Sequence, residues 1–157
     1  AGVEVRPLAP SNCGFDLVRP WSEYLRSRHA GQPVKPVAAS FEGRRQQGEF
    51  VLTDTGIEGS LVYAASAALR DAIARDGRAV LELDLLPDHP LARVRAELQR
   101  PRGLRSLATH LKSRLGIAGL KLALLHEVLG AEAMHEADRL AAALKALPLV
   151  LAAARPI

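Results

Sequence analysis

Two periodicities divide the chain. Up to about residue 86 apolar and polar residues alternate in short runs broken by Gly and Pro, and from Pro90 onward apolar residues recur three and four positions apart. Val3 to Leu8 alternates and reads as a strand stopped by Pro7 and Pro10, followed by a turn cluster at Ser11-Asn12-Cys13-Gly14. Phe15 to Trp21 predicts a short strand broken by Pro20, and Glu23 to His29 a helical turn ended by Gly31 and Pro33. Val34 to Ser40 reads as a strand in which Pro36 requires an edge or a bulge. Gly43 marks a turn, and Glu49 to Thr53 is a strong strand. The Gly-rich loop Thr55-Gly56-Ile57-Glu58-Gly59-Ser60 then leads into a helix carrying Leu61, Ala65, Leu69, Ala72 and Ile73 at helical spacing, with Gly77 as its C-cap. Ala79 to Leu86 predicts a buried strand ending at Pro87.

The second half predicts four helices. Leu91 to Gln99 is stopped by Pro101 and Gly103, and Leu104 to Leu115 has Ser106 near its start and Gly116 past its end. Leu120 to Leu129 is apolar on most sides, which predicts a central helix, and Glu136 to Ala146 places Ala137, Leu140, Ala141 and Leu144 on one face. Leu147 to Leu151 is an extended apolar piece able to rejoin the strands. The order predicts an α+β chain: a small β-barrel lobe, residues 1–86 with one helix at about 60–75, completed by 147–157, and a helical-bundle lobe, 87–146, inserted before the last strand.

Composition narrows the function classes. A chain of 157 residues that is 48% hydrophobic is long enough for a packed core, burying roughly 70% of the surface its unfolded form exposes. Aromatics are 4%, so the core rests on Leu, Ala and Val and base-stacking platforms are scarce. Cys13 is the single cysteine, which excludes a disulfide framework or a Cys-based zinc site and points to a reducing, cytoplasmic setting. No apolar run approaches the ~20 residues a membrane-spanning helix needs. The first residues lack both a signal-peptide pattern and an initiator Met, which suggests an excised piece of a longer protein. The net charge of +4 is unevenly spread. Arg93, Arg95, Arg100, Arg102, Arg105, Lys112, Arg114 and Lys121 face one acid, Glu97, within residues 91–125. That excess reads either as a solvated helix surface or as an attractor of phosphates, with Arg100, Arg102 and Arg105 as its candidate anion-binding residues.

The chemistry-bearing motifs are incomplete. His126-Glu127-Val128-Leu129-Gly130 and His135-Glu136-Ala137-Asp138-Arg139 each begin like the zinc motif H-E-x-x-H, but Gly and Arg stand where the second imidazole is required, so no metal site is expected. Ser60 follows Gly59 without the second Gly of a nucleophile elbow, Cys13 has no cation beside it in sequence, and no catalytic residue is assigned. Neither G-x-G-x-x-G nor a P-loop is present, so the chain builds no dinucleotide site by the usual means. In the loop 55–60, Ser60 reads first as a helix N-cap. The alternative is a ligand loop, with Gly56 and Gly59 letting the backbone approach closely. The helices around Gly116 also resemble a helix-turn-helix, but Leu120, Leu122, Leu124 and Leu125 stand where base-reading side chains would be needed.

Pro10-Ser11-Asn12-Cys13-Gly14-Phe15, Trp21-Ser22, and His29 to Lys35 add a resemblance, continued by Gly48 to Tyr63, Leu83 to Pro87, Arg100-Pro101-Arg102-Gly103 and Arg105-Ser106-Leu107. Together these resemble the insert domain of BaiN-like, aminoacetone-oxidase-type FAD-dependent oxidoreductases, over essentially the whole chain. The resemblance implies a β-barrel carrying a helical bundle, inserted into a two-part FAD-binding domain of the same polypeptide. It implies FAD in the full-length protein and none bound by this chain alone. The family's Thr-x-x-Gly-x-x-Gly pattern falls on Thr53, Gly56 and Gly59. The resemblance then implies that Thr53, Thr55, Gly56, Ile57, Glu58, Gly59 and Ser60 face the flavin and a small-molecule substrate. Other branches carry Ser-Gly-Pro where Glu58-Gly59-Ser60 stands here, and a carboxylate disfavours an anionic ligand. A second expectation, from charge alone, is a non-enzymatic module using the basic helical surface on nucleic acid or an acidic partner.

Overall fold

The computed structural model describes residues 2–9 and 12–156. In chain order the elements are β1 (Phe15–Leu17), α1 (Glu23–His29), β2 (Pro33–Phe41), β3 (Arg44–Leu52), β4 (Gly56–Glu58), α2 (Ser60–Asp76) and β5 (Ala79–Asp84). There follow α3 (Leu91–Gln99), α4 (Leu107–Leu115), α5 (Gly119–Leu129), a 3₁₀ turn (Ala133–His135), α6 (Ala137–Lys145) and β6 (Leu147–Ala154). The strands close into a barrel in the order β1-β4-β3-β2-β5-β6, every pairing antiparallel. The molecule is therefore α+β, with a small closed barrel and helices α3 to α6 in the chain between β5 and β6.

Closure explains several local outcomes. β6 takes the place between β5 and β1, so the extended apolar tail does rejoin the strands. A closed barrel has no free edge. Val3 to Leu8, expected to be a strand, consequently finds no partner here: it is irregular, with Val3 and Val5 each 89% exposed and Leu8 98%. Pro10 and Ser11 of the expected turn lie outside the described residues. Pro36 is accommodated by a break in the β2–β3 register between Val34 and Val37, the bulge its missing N–H demanded. β2 and β3 form a hairpin whose two connecting residues, Glu42 and Gly43, both have positive φ, the geometry that matches strand twist in a two-residue turn. β3 begins at Arg44, earlier than its pattern predicts, because Arg44 to Gln47 are exposed and show no alternation.

Inside, Phe15, Val37, Phe50, Leu52, Ile57, Leu83 and Leu151 are fully buried, and one continuous cluster runs from them through Val94, Leu111, Ile117, Leu124, Leu125 and Leu144 of the helical part. Each such side chain contributes about 1.5–3 kcal/mol. α5 is central in part: Leu124 and Leu125 are buried, while Leu120, Leu122, Val128 and Leu129 are half-buried against the core. α4 starts at Leu107 rather than Leu104. Ser106 caps it by accepting from the Thr109 N–H at 3.1 Å, and Leu104 lies outside, fully exposed. Gly77 and Gly116 end their helices in the left-handed conformation, as their sequence positions indicate.

Buried charge joins the barrel to the helices. Asp84, 3% exposed at the end of β5, pairs with Lys145 of α6 at 2.6 Å and Arg45 of β3 at 3.0 Å, and its second oxygen accepts the Leu86 N–H. Lys121 of α5 donates to the carbonyls of Pro36 and Leu85, and burial pushes its ammonium below the usual lysine range against the opposing pull of Asp84 and Asp88. Glu127 of α5 accepts from the backbone N–H and the hydroxyl of Ser22, both at 2.6 Å, tying α5 to the start of α1. Among the described residues no helix is long and apolar enough to cross a membrane.

Candidate functional site

The segment 53–60 is built around the first strand. Thr53 is buried; its N–H donates to the Gly56 carbonyl and its hydroxyl accepts the Gly56 N–H, both at 2.9 Å, which folds the chain back on itself. The reversal launches β4, so what the sequence presents as a loop contains a strand, Gly56–Glu58, pairing with β1 through Phe15↔Ile57 and Asp16↔Gly56. Trp21 closes the arrangement by donating its indole N–H to the Gly56 carbonyl at 3.1 Å. Thr55 donates to the Asp16 carboxylate, and its carbonyl accepts the Leu17 N–H.

Both glycines of the pattern make a close approach to the protein's own backbone. A Cβ on Gly56 would fall onto the Phe15 carbonyl, and one on Gly59, whose φ is +112°, would press on Phe50 Cα at 3.2 Å. Gly59 rather than Ser60 is the N-cap residue of α2, and it supplies no side-chain cap; Ser60 is the first helical residue and exposed. Ser60 borders an open groove of about 750 Å³ formed with Lys35, Pro36, Gln47, Gly48 and Glu49. Of the seven residues singled out here, Thr53, Gly56 and Ile57 are buried, Glu58 and Gly59 half-buried, and Thr55 and Ser60 exposed. Cys13 is buried nearby; burial raises its thiol above the usual range against the opposing effect of Arg70, so the thiol form is favoured over the nucleophilic thiolate.

The basic residues form a second, separate group. Arg93, Arg95, Arg100, Arg102, Arg105, Lys112 and Arg114 are exposed, and none makes an ion pair among the described residues; Lys121 is instead consumed by the internal carbonyls. Arg100 and Arg102 line a pocket of about 150 Å³ whose walls include Leu107, His110, His135 and Ala137, while Arg105 does not reach it. His110 was not legible as a functional candidate: it sits three residues after Leu107 and beside Leu111, on the stripe that faces the core. Lys121 and Glu127 stand out in sequence for charge and motif, but their internal roles are hidden there because their partners come from distant segments.

A search of curated proteins returned no match to the chain. A comparison with protein families matches residues 9–157 to the HI0933-like protein barrel and H2TH domain. The closed barrel, with helices α3 to α6 placed before its last strand, agrees with that description. The chain thus belongs to the HI0933-like barrel and H2TH family, the insert domain of the HI0933/BaiN-like FAD-dependent oxidoreductases.

Proposed function

We propose that the chain roofs the flavin of a FAD-dependent oxidoreductase and shapes its substrate pocket, with catalysis carried out only together with the FAD-binding domain of the same polypeptide. On this reading the barrel lobe spans 1–86 and 147–157, the helical lobe spans 87–146, and the protein works in the reducing cytoplasm. The observation that carries it is the tether. β1 and β6 are bonded neighbours, Phe15 opposite Ala154, with the Arg155 N–H donating to the Gly14 carbonyl at 2.9 Å. A domain inserted into another is therefore anchored at this edge of the barrel, and β4 lies directly against it. Glu58 abuts Gly14 there, since a Cβ on Gly14 would meet Glu58 Cβ at 3.0 Å.

The buried members of the segment, Thr53, Gly56 and Ile57, hold the loop's shape, the Thr55 hydroxyl is given to Asp16, and the side chains left for a ligand are Glu58 and Ser60. Bound FAD would supply hydride or electron transfer, and its floor must come from the other domain because this chain lacks a phosphate-cradling loop. What these residues contribute is exclusion of water and orientation of the substrate. The exposed Val3, Val5 and Leu8 give the partner domain an apolar strip to cover.

Two measurements test the reading. Titration of the isolated chain with FAD should leave the flavin absorbance unchanged, and stoichiometric binding would overturn the division of labour. In the full-length flavoprotein, Glu58→Ala and Ser60→Ala should alter kcat/KM by about tenfold, about 1.4 kcal/mol, at unchanged flavin content. Unaltered kinetics in both variants would remove the loop from the pocket.

A further inference from the structure

We infer that the pocket between α3, α4 and the start of α6 binds the terminal phosphate of a small phosphomonoester. The site shares no residue with segment 53–60 and does not depend on the flavin reading.

Four features converge on this pocket. Arg100 and Arg102 supply guanidinium groups with no carboxylate partner among the described residues. His135 lies on the rim, exposed. Ala137 is the first residue of α6, a nine-residue helix whose N-cap, Glu136, makes no side-chain cap; its free N–H groups and dipole favour an anion. The fourth feature is the unusual one. His110, 2% exposed, lines the pocket, yet its Nδ1 is buried with no hydrogen-bond partner among the described residues.

The geometry of His110 specifies the ligand's chemistry. Its Nε2 lies 2.9 Å from the Glu97 carbonyl, an acceptor, so Nε2 carries the proton and donates. In that tautomer Nδ1 holds a bare lone pair. A phosphomonoester oxygen satisfies that atom by sharing one proton with it, either as P–O–H donating to Nδ1 or as the imidazolium donating to the oxygen. The arginines take the remaining oxygens, a bidentate match that guanidinium makes well. Glu97, whose Oε2 is also buried without a partner, does not line the pocket; Glu136 is engaged by Arg139 at 3.1 Å, and Asp138 is exposed. The pocket, about 150 Å³, has room for one phosphate group. A histidine at the wall of so small a pocket favours a terminal phosphate over a backbone diester, which has to run past it.

The chain is titrated with inorganic phosphate, glycerol 3-phosphate, glycerol and a short DNA duplex, followed by calorimetry and by long-range proton–nitrogen spectra of the histidines. Inorganic phosphate and glycerol 3-phosphate should bind with Kd of about 1 mM or tighter, moving the His110 Nδ1 resonance, while glycerol does neither. The double variant Arg100→Ala/Arg102→Ala, made at exposed positions, should weaken binding at least about tenfold. His110→Gln keeps a donor toward the Glu97 carbonyl but lacks Nδ1; it should remain folded and weaken binding several-fold. An unmoved His110 resonance at saturating phosphate overturns the proposal. So does undiminished binding in the arginine variant, or tighter binding of the duplex than of glycerol 3-phosphate with the same His110 signature.

Discussion

The barrel seam and the helical pocket treat buried polar groups in opposite ways. Around Gly56 the two buried polar side chains, the Thr53 hydroxyl and the Trp21 indole, are both spent on backbone. Around α3 and α4, Glu97 Oε2 and His110 Nδ1 are the buried side-chain atoms left unsatisfied among the described residues. A buried polar atom without a partner costs about 1–3 kcal/mol. Pairing in the seam makes it fixed architecture, whereas the pocket is walled by a histidine that keeps one ring nitrogen unsatisfied. The pattern the sequence advertised, two glycines and a threonine, turns out to hold strands together. The histidine it hid among leucines is the group with capacity to spare.

Substitutions that attack each side sharpen the contrast. The largest effect is expected at Gly56→Ala: the new Cβ collides with the Phe15 carbonyl, β1 cannot pair with β4, and the barrel opens. Urea unfolding should record a loss of about 4 kcal/mol or more, in the range reserved for backbone collisions and broken networks; a loss under about 1 kcal/mol would mean the seam is soft. Next is Asp84→Ala, which leaves the Lys145 ammonium buried beside the vacated carboxylate and should cost about 3 kcal/mol in the same assay.

A smaller effect concerns Cys13. Its folded thiol is raised above the ordinary 9.0 by burial, so the folded state binds more protons than the unfolded one in the window just above that value. Stability from this group is complete below about pH 9 and falls as pH rises through the raised value. Unfolding curves between pH 8 and 10 should show a steeper decline for the parent than for Cys13→Ala, and equal slopes would refute it. The smallest expected change is in the stability of Arg100→Ala/Arg102→Ala, within about 0.5 kcal/mol, since both side chains are exposed and unpaired. A larger loss would make them structural and erase the comparison.

Legibility in the sequence followed locality. Helix ends were readable where a single residue decides them, as at Gly77, Gly116 and the extent of α3. The bulge at Pro36 was readable because a missing N–H is a local fact. Val3 to Leu8 misled because alternation reports capacity to pair and says nothing of whether an edge is free. β4 was hidden because a three-residue strand carries no period, and Ser60 passed for a cap because Gly59, with no side chain, holds that position. Lys121 read as surface charge, although carbonyls from two distant segments bury it. Its resemblance-bearing residues were plain in sequence, but which of them are exposed was decided by where β1 passes.

The contact between Gly14 and Arg155 has a consequence for whatever chain hosts this domain. Closing a long loop ordinarily costs entropy that grows with its length. Here Gly14 and Arg155 are held a single hydrogen bond apart by the domain's own folding. For a host joined close to these two residues, the closure entropy is met by the strand pairing of the barrel itself, and the insertion weighs on the host fold as a short turn would.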